Sequence, residues 1–324
     1  NTSSRTIGLS NDSIEFLESQ KILFKKKCWG IKRINLYKDE SHKSFLNFDS
    51  KKNCFFIASY NDFYKSLEVS LKNNKLIKFK RERSQKSLFK ILKKNYEIII
   101  LGDTNNYLFK KYFSKQIRKN YKSTAFTTII DHDKIANNIA EQYFTKFGPL
   151  AFLPISNTKT SVVFSVFEKD LIKNNSKILE LIKHYNRIYK IRKINALKQF
   201  PINLSLSRNY FHKNILSFGD ALHRIHPLAG QGFNMTLRDS KILTQLIKKN
   251  LDLGLSLNTV LEKFEAKRKN PNLVFAMGID FLYEFFKLNN RYNMKSIDYL
   301  FKFMNKNLFI KNKIENFADK GLIF

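Results

Sequence analysis

The spacing of apolar and polar residues changes several times along the chain. Residues 32–39, KRINLYKD, alternate apolar with polar, the repeat of a half-buried strand. Residues 61–73 instead place Phe63, Leu67 and Leu71 on one side of a helix. Two short apolar runs, YEIIILGD (96–103) and NILSFGD (214–220), end in the same dipeptide. An uninterrupted apolar run of that length suits a strand buried on both faces of a parallel sheet. Between them, TAFTTIID (124–131) and SVVFSVF (161–167) are rich in Thr, Val and Phe and are predicted strands. Gly148, Pro149 and Pro154 are expected to break the intervening FTKFGPLAFLPI. The helical repeat returns over 177–191 and dominates after 258, where Phe281, Leu282, Phe285 and Phe286 form a stripe predicted to face the core. Near the start, Asp12 and Glu15 read as a capping box before Ile14, Leu17 and Ile22. The pattern predicts an α/β domain interrupted by a sheet domain, with a helical C-terminal region.

One segment departs from this texture. GDALHRIHPLAGQGFNM (219–235) holds three of the ten glycines, one of the five prolines and two of the six histidines. Ile215, Leu216 and Phe218 form the strand before it, and Ile242, Leu243, Leu246 and Ile247 mark the buried face of the helix after it. Ligands of open parallel sheets sit at the carboxyl ends of strands, so Asp220 stands where a carboxylate accepts hydrogen bonds from polyol hydroxyls. Gly230, Gln231 and Gly232 lead into the helix. A helix that opens on glycine presents unsatisfied N–H groups and the positive end of its dipole, and no Cβ holds a ligand away. A phosphate suits such an end, and so does the pyrimidine edge of a flavin. Asp220, His223 and His226 also carry metal-ligating atoms, but no further ligand is evident and no metal is expected.

Composition narrows the picture only partly. The chain has 324 residues, 43% of them apolar and 14% aromatic, which argues against disorder. No apolar run reaches the length of a membrane-spanning helix. Cys28 and Cys54 have no metal spacing and are too few for a disulfide framework, so a reducing cytoplasm is expected. Lys and Arg outnumber Asp and Glu by 59 to 27, for a net charge of +32. The basic residues are spread along the whole chain. Solvated faces and background composition explain that best, a membrane-surface role comes next and nucleic acid last.

Taken whole, GDALHRIHPLAGQGFNMTLRD resembles the second flavin-contacting motif of the FAD-dependent aromatic hydroxylases related to para-hydroxybenzoate hydroxylase. It is most similar to the ubiquinone-biosynthesis branch, and only Leu222 and Thr236 depart from that branch's usual residues. RTIGLSNDSIEFLE and QYFTKFGPLAFLPI resemble two further stretches of the family, in the family's order. The resemblance implies a split Rossmann-like FAD-binding domain (1–28, 60–118 and 206–258), an inserted substrate-binding sheet (29–59 and 119–205) and a helical C-terminus (259–324). It implies that Asp220, with Gly219, holds the ribityl chain, and that backbone groups of Gly230, Gln231, Gly232, Phe233 and Asn234 meet the flavin edge. His226 and Pro227 would border the flavin face where oxygen reacts, with no acid–base role. Gly148, Pro149 and Leu150 would lie on the substrate side, Arg5 would reach the FAD, and Asp103 would belong to the middle motif. That motif reads LGDTNNY here, with Thr104 and Tyr107 in place of the family's small residues. The family's opening Gly-x-Gly-x-x-Gly is absent, so the sequence is expected to be a fragment lacking on the order of 30 residues, about one strand–turn–helix unit.

The implied activity is an FAD monooxygenase that uses NAD(P)H to hydroxylate a polyprenyl phenol in ubiquinone biosynthesis. The implied setting is the cytoplasm, or the inner face of an anionic membrane beside other proteins of that pathway. A non-hydroxylating or catalytically impaired FAD-binding oxidoreductase of the same fold is the alternative. A basic nucleic-acid module is the third reading, and no nucleic-acid motif supports it.

Overall fold

The computed structural model describes residues 5–39, 41–50, 52–80, 96–167, 175–292 and 303–321. Parts of each predicted region (1–4 and 81–95; 40, 51 and 168–174; 293–302 and 322–324) lie outside the described residues.

The chain opens with β1 (Thr6–Leu9) and α1 (Asn11–Ser19). Four strands follow: β2 (Trp29–Ile31), β3 (Arg33–Lys38), β4 (Leu46–Asp49) and β5 (Phe55–Ser59). Next come α2 (Tyr60–Lys72), β6 (Ile99–Leu101) and α3 (Tyr107–Tyr112). The central block is β7 (Gln116–His132), β8 (Ile139–Thr145), β9 (Gly148–Ser156), β10 (Lys159–Phe167), α4 (Asn175–Tyr185), β11 (Ile191–Ile194) and β12 (Lys198–Ser207). The last part is β13 (Phe211–His212), β14 (Ile215–Ser217), β15 (His223–Arg224), α5 (Gln231–Asp252), α6 (Asn258–Tyr292) and α7 (Leu308–Lys320).

Three sheets result. One has the order β15-β12-β7-β10-β9-β8-β3-β4, with β11 also paired to β7. The others are β1-β5-β2 and β13-β14-β6. The two Gly-Asp runs are neighbours: β14 pairs parallel with β6, Ile215 beside Ile99 and Ser217 beside Leu101. The whole strand-rich block lies between them in sequence, as the alternation of elements predicted. Residues 29–31 and 55–59 depart from the predicted boundary. They were assigned to the substrate sheet, yet β2 and β5 pair with β1. Only β3 and β4 of that stretch join the large sheet.

Apolar side chains fill both faces of the large sheet. Phe144, Phe167, Ile202, Leu204 and Leu206 meet Phe275, Ile279, Tyr283 and Phe286 of α6 on one face. Phe126, Leu150, Phe152 and Phe164 meet Ile178, Ile182 and Tyr185 of α4 on the other. The stripe predicted on α6 divides: Phe286 is buried and Phe285 packs beside it, whereas Phe281 and Leu282 are exposed. The helix carries on through Pro271.

Local chemistry corrects two other expectations. Ser10, not Asp12, is the N-cap of α1; its hydroxyl accepts from Ser13 N–H, and Asp12 sits in the first turn. Residues 148–156 form an unbroken strand despite Gly148, Pro149 and Pro154. Pro154 lies where the β9–β10 register shifts, a place that tolerates a missing N–H. Gly148 closes the two-residue turn from β8 with φ +130°, and a Cβ there would stand 1.9 Å from the carbonyl oxygen of Ser165. Only glycine allows that approach. Gly148→Ala is therefore expected to destabilise the fold by roughly 2–4 kcal/mol, since strained φ and a backbone clash add. Urea unfolding checks this, and a loss below about 0.5 kcal/mol would contradict it.

Candidate functional site

The site begins at the carboxyl ends of β6 and β14. Phe218 N–H donates to Leu101 C=O at 2.9 Å and extends the parallel pairing to the point where both strands end. Asp103 and Asp220 follow in the two chains, and both are exposed. Asp103 accepts from Asn105 N–H at 2.8 Å, which fixes the turn before α3. Asp220 makes no hydrogen bond to protein among the described residues. A Cβ on Gly102 would meet nothing within 4 Å, and Gly219 takes φ +62° to turn the chain past the strand end. One carboxylate is thus spent on the local turn and the other faces outward.

The segment then crosses into the large sheet through β15 and comes back to α5. Gly230 is the N-cap of α5 at φ +64°, and no side chain caps the helix. Its Cα faces Gly8 of β1, and a Cβ on Gly230 would lie 3.7 Å from Gly8 Cα. The left-handed backbone therefore requires glycine at 230 more than the space does. Asn234 locks this junction: its Oδ1 accepts from Ser10 N–H at 3.0 Å, and its Nδ2 donates to Gly8 C=O at 3.1 Å and Gly230 C=O at 3.3 Å. The opening turn of α5 thus keeps its backbone donors while its side chains are engaged elsewhere. Gln231 is buried and accepts from Arg238 at 3.1 Å. Phe233 packs edge-on against Phe63 of α2. Gly232 has ordinary van der Waals room beside Ile225.

The two histidines of the motif are buried and serve different ends. His223 Nε2 bonds Asp239 Oδ2 at 2.7 Å, and Arg268 Nε donates to Asp239 Oδ1 at 2.6 Å. Asn272 donates to both carboxylate oxygens. Burial alone would raise the Asp239 pKa, but the His223 and Arg268 contacts outweigh it and hold the carboxyl below its usual range. This network ties β15, α5 and α6 together beneath the loop. His226 is fully buried. Its Nδ1 accepts from Leu228 N–H at 3.1 Å, so the neutral ring carries its proton on Nε2, and that N–H has no partner. The two histidines of the Asp-x-x-His-x-x-His spacing are thus engaged by Asp239 and by Leu228 N–H, and neither bonds Asp220.

The remaining predicted residues separate. Gly148 and Pro149 line a narrow cleft with Phe144, Phe167, Tyr283, Phe286 and Lys287. Leu150, expected on the same side, turns to the opposite face and joins the α4 core, because neighbouring strand residues alternate. Pro227 is half-buried between His226 and the short turn into α5. Arg5 precedes β1, with its guanidinium 5.5 Å from the Tyr60 ring centre, three residues before the Gly8 contact. The side-chain lock of Asn234 and the Asp239 network were not foreseen, although both residues lie inside the quoted motif. Tyr121 and Tyr283, which flank His226, come from sequence far from the motif and carried no signal.

The architecture is that of FAD-dependent aromatic monooxygenases. The crystal structure of p-nitrophenol 4-monooxygenase PnpA from Pseudomonas putida DLL-E4 superposes with a TM-score of 0.78 over 100% of this chain and 90% of that one, at 12% identity. Klebsiella pneumoniae HpxO, complexed with FAD and uric acid, gives 0.70 over 98% and 88%, at 11% identity. The chain belongs to the squalene epoxidase family, whose model matches residues 149–312. Among curated relatives, the ubiquinone biosynthesis monooxygenase COQ6 of Danio rerio is 25% identical over 215 residues, 53% of this chain and 44% of that protein. The 3-demethoxyubiquinol 3-hydroxylase of Escherichia coli K12 is 31% identical over 156 residues, 46% of this chain and 40% of that protein. The matched stretch thus spans less than half the length of these relatives.

Burial pushes the His226 imidazole down to about 3, with Asp280 offsetting part of the effect. The unfolded chain therefore binds a proton below about pH 6.5 that the folded chain refuses until about pH 3, so stability falls as pH drops through that window. Each unit costs up to ~1.4 kcal/mol from this one group. In urea unfolding at pH 7, 6, 5 and 4, His226→Asn is expected to lose less stability than the wild type. Parallel pH curves would contradict this.

Proposed function

We propose that this chain is the flavin- and substrate-binding part of a monooxygenase that hydroxylates the aromatic ring of a prenylated phenol in ubiquinone biosynthesis. The observation that carries the reading is the opening of α5 at Gly230, which no side chain caps, in a helix whose Thr236 lies beside Gly219, the residue before the exposed Asp220. An outward carboxylate at a parallel strand end and uncapped N–H groups at a left-handed glycine face the same kind of ligand: one with hydroxyls at one part and a partly negative edge at another. FAD has both. The named relatives act in ubiquinone biosynthesis, and the fold is that of FAD enzymes.

In this reading Asp220 accepts hydrogen bonds from the ribityl hydroxyls, and Gly219 provides the turn that aims it. The first amides of α5 meet the flavin edge, and their positive potential favours negative charge there. Asp103 shapes the neighbouring turn, and Arg5 supplies positive charge beside β1. The chemistry a bound flavin supplies is activation of oxygen with electrons from NAD(P)H. The protein's share is to hold the ring, exclude water and present the substrate. The narrow cleft lined by Phe144, Pro149, Phe167, Tyr283, Phe286 and Lys287 is mostly aromatic, and a substrate ring enters there only if these side chains move apart.

We place the enzyme against an anionic membrane surface, where a prenylated substrate partitions. Two features support this. The net charge is +32. Val274, Met277, Phe281 and Leu288 also line the solvent face of α6 at helical spacing. Among the described residues no helix is long and apolar enough to cross a membrane. Co-sedimentation with phosphatidylglycerol vesicles is expected at low salt and should fall as salt rises. Background binding at low salt would remove the membrane contact and leave the enzymatic reading intact.

The purified protein is expected to bind FAD and to oxidise NAD(P)H faster when a short-chain prenylphenol is added, with a hydroxylated product. Asp220→Ala, an exposed change, should keep the fold and weaken FAD binding by about 1.5–3 kcal/mol, the worth of a charge-assisted hydrogen bond. Unchanged FAD affinity would contradict the role of Asp220. NAD(P)H oxidation without product would favour the non-hydroxylating alternative.

A further inference from the structure

The last turn of α7 reaches the opening of α5 by two routes. The first runs through Arg238, two turns along α5. Its Nη2 donates to Ala318 C=O at 2.9 Å and Asp319 C=O at 3.4 Å, and also to Oε1 of Gln231, the first residue of α5, at 3.1 Å. The second runs through Ser10. Its Oγ donates to Asp319 C=O at 2.9 Å, while its N–H is the one held by Asn234 of α5. The Asp319 side chain adds a third contact: its Oδ1 accepts from Asp12 N–H at 3.0 Å, in the first turn of α1.

The chemistry of these contacts is complementary. The end of a helix leaves its last carbonyls unpaired and carries the negative end of the dipole. α7 turns that end onto a buried guanidinium. Burial, reinforced by Arg268, pushes the Arg238 pKa down to about 10, and Asp12 and Asp319 are among the carboxylates that oppose the fall, so the group is charged at neutral pH. A buried cation needs acceptors, and α7 supplies two of the three that Nη2 reaches. Gly321 ends the helix at φ +72°, and a Cβ there would stand 3.0 Å from Arg238 Nη1. The Asp319 carboxylate meanwhile faces the positive end of α1. The rest of α7 is anchored elsewhere. Phe317 packs on Phe275 of α6 with ring centres 4.8 Å apart, and Lys311 Nζ donates to Asn47 Oδ1 of β4 at 3.0 Å. The helix thus runs from the large sheet to the junction of α1 with α5.

On the basis of the proposed function, we propose that the last turn of α7 is a latch that holds the opening of α5 in place for the flavin edge, with Asp319 as its positioning residue. Ser10 and Arg238 carry the constraint to Asn234 and Gln231. Without the Asp319 carboxylate, α1 loses an acceptor at its first turn and Ser10 shifts with it. The first amides of α5 then sample more positions, and binding FAD must supply the lost order.

The test compares the wild type with Asp319→Ala and Asp319→Asn, all as the full chain. Amide hydrogen exchange is measured first without flavin. In Asp319→Ala, exchange is expected to rise roughly 5- to 20-fold at Ser10 and at residues 235–237, and to stay unchanged at 243–250. FAD affinity, from flavin fluorescence titration, should fall by a similar factor. Asp319→Asn keeps the Oδ1 acceptor and should restore both to within about twofold of the wild type. No local rise in folded Asp319→Ala, a uniform rise along α5, unchanged FAD affinity, or an Asn variant that behaves like the Ala variant would each overturn the latch. If Asp319→Ala does not fold, the wild type decides through linkage: FAD should slow exchange at 10–12 and 317–319, and no slowing there overturns the proposal. FAD binding and prenylphenol hydroxylation by the wild type report separately on the proposed function. An active flavoprotein without the local rise fails the latch alone. A wild type that binds no FAD fails the function, and the flavin-free exchange pattern still decides whether Asp319 positions α5.

Discussion

The arrangement depends on how α5 begins. A long amphipathic helix must start against β1 with no side chain filling the space in front of it. The chain meets this with a left-handed glycine at 230 and a single asparagine. Asn234 supplies both a donor and an acceptor, so one side chain satisfies Ser10 N–H and Gly8 C=O together. Ser10 N–H would otherwise be a buried donor without a partner, at about 1–3 kcal/mol; Gly8 C=O is only partly buried. The lock fixes the height of α5 relative to β1 while leaving its first amides free of side-chain caps. A helix capped by its own serine or aspartate would be more stable by a few tenths of a kcal/mol or more, but its positive end would already be occupied.

Burial of charge does related work deeper in the molecule. Asp239 lies in the helix that opens on the site, yet its bonds run to β15 and to α6. A carboxylate so deeply enclosed is tolerable only because His223, Arg268 and Asn272 complete its hydrogen bonds, and removing one partner would leave an uncompensated charge. The network welds the loop 219–230 to the helical C-terminal region. His226 lies on the same loop in apolar surroundings, where burial keeps it neutral. Two histidines three residues apart thus take opposite roles because one meets a carboxylate and the other meets two tyrosine rings.

Much of this was legible in the sequence, for physical reasons that differ by element. The two Gly-Asp runs announced themselves as short apolar runs, and they do pair in parallel; β14 is buried throughout as expected, whereas Ile100 of β6 is 53% exposed, so β6 is not the doubly covered strand its composition suggested. Residue types forced by backbone geometry, such as Gly219 and Gly230, were also visible. Membership of β2 and β5 in the small sheet was not, since the repeat of a strand does not name its neighbour. Leu150 was misplaced for a related reason: the motif marks a strand, but the side each residue faces depends on register. Gly148 was read as lying beside a ligand, and its strictest demand turns out to be the carbonyl of Ser165. The aromatic box around His226 stayed hidden because Tyr121 and Tyr283 are two among fourteen tyrosines.

The central claim is that the ends of β6 and β14 and the opening of α5 together cradle a flavin. Amide hydrogen exchange with and without FAD tests it most directly, because the cradle is made largely of backbone. Added FAD is expected to slow exchange at 219–220 and 230–234. Protection confined to other segments, or none at all in a protein that retains FAD, would contradict the account.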